Sequence, residues 1–549
     1  MPPCLRNIFF LMLVFFQVAG CNGPSEEKPA PKTAASREAR PGEPVYGGRI
    51  VKAMLGDATN LIPPLATDSG SHEIASLLYV SPLKYDKDIH LVPFAAESYE
   101  VLEDGKLLRF HLRPNLRWAD GRELTADDVE FTYKLMIDPK TPTAYGEDFK
   151  AISAFTVTDK YTFEVRYDRP FARALTTWTS EILPKHALDG QDLTNTAFSR
   201  APLGAGPFQL KGWEAGRDIT LAVNPDYFEG RAYLDEALYR IIPDLSTMFL
   251  ELKAGNLDEM GLTPQQYLYQ TKGPEWDENF RKFKYLAFSY VYMGYNLRQP
   301  LFSDVRVRVA LAHAIDKREI IAGVLMGLGL PTIGPYTPGT WMYNDAIKDY
   351  EYDPVLAKKL LAEAGWVEEN GVLTKDGNPF SFTILTNQGN DQRVKTATII
   401  QQRLKDIGIE VKIRTVEWAS FLKEFVDKGR FDAVILGWSI PQDPDIYDVW
   451  HSSKAVPGGL NFVDYKSPEL DDLLEQGRRT LDQNERKKIY DRLQEVLHRD
   501  QPYCFLFAPY ALPILSARFQ GVFEAPAGIE HNFIRWWTQS VPSRPAHVN

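Results

Sequence analysis

Between residues 380 and 436 the chain alternates short apolar runs with amphipathic stretches, and this alternation limits the fold more than any other feature. Phe380–Thr386, Ile409–Val416 and Phe431–Leu436 read as strands. Arg393–Ile407 and Trp418–Asp427 read as helices between them. In the first helix Val394, Ala397, Ile400, Leu404 and Ile407 keep helical step, and Gly408 stops it. Strands separated by helices predict a parallel or mixed sheet with helices covering it, so the fold class is α/β. In open sheets of this kind ligands bind outside the carboxyl ends of the strands. Those ends are Thr386-Asn387-Gln388, Val416-Glu417-Trp418 and Gly437-Trp438-Ser439. Two of the three carry a Trp and all supply polar groups, which marks this rim as a candidate ligand cleft.

Other elements are readable from their punctuation. Residues 107–113 alternate as a half-buried strand, and a turn follows at Asp120-Gly121. Thr125 is placed to cap a helix whose first turn holds Asp127 and Asp128, acids that suit the positive end of the helix dipole. Gln209–Glu214 and Asp218–Asn224 form a strand pair around Ala215-Gly216-Arg217. Asp304 caps a helix running to about Ile315, and Asp353-Pro354 starts another that ends at Gly365. The aromatics after residue 510 return to pack on the first part of the chain. At 549 residues, and roughly 150 per domain, two to four lobes are expected.

The amino terminus reads as an address. Arg6 precedes the apolar run Ile8–Phe16, which is too short for a bilayer span of about 20 residues. This is the pattern of a secretory signal peptide over residues 1–20. Val18-Ala19-Gly20-Cys21 resembles a bacterial lipobox, which makes Cys21 the lipidation residue. The Pro-rich stretch 21–44 has little to bury and reads as a tether. The body is thus expected outside the cytoplasm, periplasmic or at the cell surface, anchored by lipid. With Cys4 lost in the leader and Cys21 modified, Cys504 is left alone in an apolar segment and reads as an inert buried thiol.

Charge and motifs exclude several functions. A formal net charge of −11 argues against nucleic acid, which is bound by neutralising phosphates. There is no G-x-S-x-G elbow and no P-loop. Gly204-Ala205-Gly206 lacks the third glycine of a dinucleotide fingerprint. His72-Glu73 begins like a zinc-protease motif, but position 76 is Ser. The nine histidines are scattered. No cofactor, metal or catalytic residue is assigned, and the chain reads as a binding protein rather than an enzyme.

Four segments resemble one family. They are Phe110–Asp128, with its Trp118, Asp120-Gly121 and Leu124-Thr125; Gly204–Phe208 with Asn224–Phe228; Ser303–Lys317; and Tyr352–Trp366. Together they are similar to the large extracellular solute-binding proteins of ABC importers, the peptide/nickel-binding type. The resemblance covers the chain after residue 45. It implies two lobes closing on a ligand, with a subdomain inserted in the first. Lobe I would comprise 45–78, 199–294 and 507–549, the insertion 79–198, and lobe II 295–506. It implies a peptide or small solute as ligand, an ABC permease as partner, and a monomer. In peptide-binding members an Asp three residues past the Gly-Trp tryptophan pairs with the peptide amine. Here that position is Pro441, and Asp443 is the acid assigned to the role. Trp438, Ser439, Asp443, Trp418, Asn387, Tyr292 and Asn296 are the expected ligand contacts, the last two from the strand Tyr290–Asn296. A nickel chelate, haem or oligosaccharide cargo stays open as an alternative. So do a secreted lipoprotein hydrolase and a sensor or chaperone that binds peptides without transport.

Overall fold

A computed structural model describes residues 43–440 and 442–538. The leader, Cys21, most of the tether and Pro441 lie outside the described residues. The architecture rests on two large sheets. The first runs in the order Phe280–Lys282, Pro513–Ser516, Glu259–Gly261, Arg49–Met54, Glu236–Ile241, Asp218–Val223, Phe208–Glu214. Its strands alternate between two cores, as the period of two requires. Ile50 and Met54 face one cluster, with Phe519, Phe533 and Trp536, while Val51 and Ala53 pack on the other around Met260 and Ile514.

The second sheet runs in the order Tyr285–Leu286, Tyr503–Ala511, Ser289–Tyr295, Ala433–Ser439, Ser381–Asn387, Glu410–Val416. The last three strands are mutually parallel, and Ser289–Tyr295 pairs antiparallel with Ala433–Ser439, so the sheet is mixed. Helices cover both faces. Ala433 and Ile435 meet the core shared with helices Val305–Ala314, Lys317–Leu325, Pro354–Glu363 and Asp391–Lys405. Val434 and Leu436 meet the core under Pro468–Arg479 and Gln483–Asp500. Trp418–Ser420 is a short α-helical turn that continues as the π-helix Phe421–Val426.

A third, four-stranded antiparallel sheet lies within residues 79–198, in the order Ala96–Leu102, Leu107–Leu112, Thr162–Tyr167, Ile152–Asp159. Helix Ala126–Ile137 packs on it. Thr125 and Asp128 close a capping box at its start. Asp304 and Asp353 cap their helices through backbone N–H groups of Arg306, Val355 and Leu356.

Two boundaries differ from the sequence expectation. Ser289–Tyr295 was expected in the first lobe up to residue 294, and residues from 507 on were expected there too. Pairing decides otherwise: Ser289–Tyr295 lies between Ala433–Ser439 and Tyr503–Ala511, and the latter stays in the second sheet to residue 511. The lobes are therefore joined where Lys282 leads to Tyr285 and where Ala511 leads to Pro513. These crossings run side by side. Lys282 pairs with Ile514 in one sheet and Tyr285 with Ala511 in the other, and the Phe283 N–H donates to the Pro513 carbonyl at 3.0 Å between them.

Candidate functional site

A cavity of about 1010 Å³ lies between the lobes, at the upper end of the range for small-molecule sites. Its first-lobe wall comes from the loop and helix around Pro63–Glu73 and from insertion residues including Tyr145, Asp148, Arg173 and Glu181. Its second-lobe wall comes from the strand ends and the loops after them.

Trp418 and Trp438 both line the cavity. Trp438 lies opposite Tyr290 in the strand register, and its indole N–H donates to the Tyr503 hydroxyl at 3.3 Å. Trp418 is also where the lobes meet: a Cβ added to Gly56 would stand 2.6 Å from its Cδ1. A side chain at position 56 would collide with the indole. The lobes also touch at Gly389, in left-handed backbone (φ +80°), which lies against the Pro243 carbonyl.

Arg393 sits in the first turn of helix Asp391–Lys405 and lines the cavity. Its Nη1 donates to the Asn387 Oδ1 at 2.8 Å. Among the described residues it has no carboxylate partner within ion-pair distance. Burial pulls its pKa down to about 10, with Tyr292 acting the other way. It is still a cation at neutral pH, and no carboxylate among the described residues pairs with it.

At another part of the wall three acids and three arginines interlock across the lobes. The Asp148 carboxylate accepts from Arg173 Nε at 2.6 Å and from Arg478 Nη2 at 2.8 Å. Asp445 accepts from Arg478 Nε at 2.7 Å and has Arg173 at 3.3 Å. Asp443 accepts two bonds from Arg486 at 3.0 Å, with Arg173 at 3.5 Å. Asp148 and Arg173 belong to the insertion and the rest to the second lobe. The Ala172 N–H adds a backbone bond to the Arg478 carbonyl at 2.7 Å. Burial would raise the Asp443 carboxyl, but Arg173 and Arg486 more than offset it and hold it below the usual range. Tyr336 anchors this loop by donating to the Pro444 carbonyl at 2.6 Å. Asp448 nearby is pushed up to about 6 by burial, against the opposing pull of Lys454.

These placements sort the expected contacts. Trp418, Trp438 and Ser439 face the cavity. Asn387 does not; it is buried and holds Arg393, which does. Tyr292 lies beneath the surface, fully buried and stacked on Tyr503 with ring centroids 3.9 Å apart. Asn296 is structural: its amide donates to the Gly429 and Phe431 carbonyls at 3.0 and 2.8 Å. Asp443 is committed to arginines and is not available to pair with a ligand amine. Arg393 was missed because it reads as an ordinary helix-start residue. Its only sequence signal is its place a few residues past a strand end. Asp86, Asp88 and His90 approach metal-ligand geometry, but they form a solvent-facing turn outside the cavity, where Asp86 already accepts from the N–H groups of Asp88 and His90.

Two lobes on a paired-strand hinge, with an aromatic cavity between them closed by ion pairs, define a two-lobed solute-binding protein of the periplasmic type. Residues 90–457 match the family model for bacterial extracellular solute-binding proteins, family 5. The oligopeptide-binding protein AppA of Bacillus subtilis is 35% identical over 545 residues, covering 97% of this chain and 98% of that one. The structure of AppA in complex with a nonapeptide superposes with a TM-score of 0.86 at 34% identity, over 91% of this chain and 100% of that chain. NikZ of Campylobacter jejuni in complex with Ni(L-His) gives 0.82 at 25%, over 89% and 99%. The chain belongs to the family 5 extracellular solute-binding proteins. It is the substrate-binding component of an ABC-type importer. Among the described residues no helix is long and apolar enough to cross a membrane.

Proposed function

We propose that this protein captures peptides outside the cytoplasmic membrane, closes on them between its lobes, and delivers them to a permease without chemical turnover. The observation that carries the reading is Arg393, a cation on the wall of an aromatic cavity with no carboxylate partner among the described residues. An acidic ligand group, such as a peptide carboxylate, would supply the missing partner in a charge-assisted bond. Trp418 and Trp438 offer aromatic surface to apolar side chains of differing shape. The likeness to AppA, solved with a nonapeptide, supports the same choice. Closure would be a hinge motion that shifts the population towards the ligand-bound form. The mature chain would be a monomer tethered by lipid on Cys21.

Mass spectrometry of the purified body, native and then denatured, tests the reading. Release of a family of short peptides is the expected result. A single non-peptide species, a nickel chelate or haem for example, would replace peptides as the cargo.

A further inference from the structure

Among the described residues seven carboxylates line the cavity, and five are held by hydrogen bonds or ion pairs to this chain's own groups. Asp68 accepts from Ser71 and Thr59 at the start of its helix. Glu73 has Lys52 at 3.1 Å and Asp448 has Lys454 at 3.1 Å. Asp148 and Asp445 belong to the arginine network. Asp427 has no ion pair among the described residues; burial pushes its pKa up, and the nearby charges of Lys423 and Lys428 oppose that rise. The seventh is Glu181. No Lys, Arg or His nitrogen among the described residues lies within ion-pair distance of it.

Glu181 is also held rigidly. The Ser180 N–H donates to the Thr177 carbonyl at 3.3 Å. On the other side the Ile182 N–H donates to Val80 at 2.8 Å and the Leu183 N–H to the Thr132 hydroxyl at 2.9 Å. Ile182 and Leu183 are buried and fix the segment to the insertion. These bonds fix the backbone on both sides of the acid, whose side chain lines the cavity. Burial pushes its pKa up, opposed by His72 on the neighbouring helix. An enclosed acid without a cation is costly to keep ionised. Asp443, the acid favoured by sequence, already has its arginines.

We propose that Glu181 is the acceptor for a ligand ammonium group, and that it makes the cavity selective for ligands carrying a primary amine there. The inference rests on the peptide reading above and deepens it. With Glu181 on the insertion and Arg393 on the second lobe, a ligand bearing both an ammonium and an acid would tie the two lobes together. The ammonium could be an amino terminus or a lysine side chain, and the chemistry at Glu181 is the same.

The test is calorimetric titration of a length series of Ser/Ala peptides, tripeptide to nonapeptide, each with a free or an acetylated amino terminus. A third set is acetylated but begins with lysine. Wild type should prefer the free amine, or the lysine set, by roughly tenfold to a hundredfold, the range for one charge-assisted bond. Glu181→Gln should bring that ratio close to one, and Glu181→Asp should restore part of it. Retention of the lysine preference alone would name the side chain as the source. A Glu181→Gln protein that keeps the full preference, with melting temperature and acetyl-peptide affinity unchanged, overturns the assignment and leaves peptide binding standing. If no peptide of any set binds wild type, the peptide reading falls and this inference falls with it.

Discussion

Gly389→Ala should leave the protein folded and prevent it from closing. The glycine follows the strand Ser381–Asn387 of the second lobe, and its neighbour across the cleft is the Pro243 carbonyl of the first. A Cβ there would stand 1.7 Å from that oxygen, where real Cβ atoms essentially never approach within 3.0 Å. The obstacle is backbone, so no rotamer change relieves it. The two lobes must part by more than an ångström. The interlobe bonds of Arg478 to Asp148 and of Ala172 to Arg478, now 2.8 and 2.7 Å, would then exceed hydrogen-bonding range. Losing them costs the closed form on the order of 3 kcal/mol, or about a hundredfold in Kd. The open form bears only the left-handed backbone at φ +80°, about 1–2 kcal/mol for a residue with a Cβ. Small-angle scattering with and without ligand, beside calorimetry, is the assay. The expected variant binds weakly and does not compact, while its ligand-free melting temperature falls only slightly. A variant that compacts and binds like wild type would refute the contact and the closing geometry drawn from it.

Other expectations follow from the charge inventory and the amino terminus. Lys52 is buried, with Glu73 and Glu530 at 3.1 Å and Glu259 at 3.5 Å; Lys52→Met leaves the buried Glu259 without its cation and should cost about 3 kcal/mol, read as a lowered urea midpoint. Burial drives His498 down from 6.5 to about 4, so the unfolded chain takes up a proton that the folded one refuses between those values. Folding stability should therefore decline as pH falls across that window, by about 3 kcal/mol for this group, and His498→Phe should remove that share of the decline; a difference in melting temperature that is constant with pH would exclude it. Full-length protein should label with palmitate and sediment with membranes, and Cys21→Ala should abolish both.

Local chemistry was legible in the sequence and long-range pairing was not. Thr125, Asp304 and Asp353 act on backbone groups within three residues, so their caps could be read directly. The strand-end rule located Trp418, Trp438 and Ser439 because it depends on element order alone. It could not say which way a side chain turns at the rim, and Asn387 turns inward to hold Arg393. Asp443 looked free because Arg486 lies 43 residues on and Arg173 in another lobe. Ser289–Tyr295 was misplaced for the same reason, since nothing within the strand records which sheet pairs with it. Glu181 stands out only when the partners of the other cavity carboxylates are traced one by one, since no lysine or arginine charge acts on it.

The continuous stretch from Tyr503 to Ser516 is threaded through both large sheets, with only Leu512 between its two strands. Each sheet thus holds an interior strand whose other end is clamped in its neighbour. Heat that melts one lobe pulls a structural strand from the other, so the two cores should be lost together. A single calorimetric transition is the natural behaviour of such a body, despite its separate hydrophobic cores. The paired crossing that joins the lobes also makes them one cooperative unit.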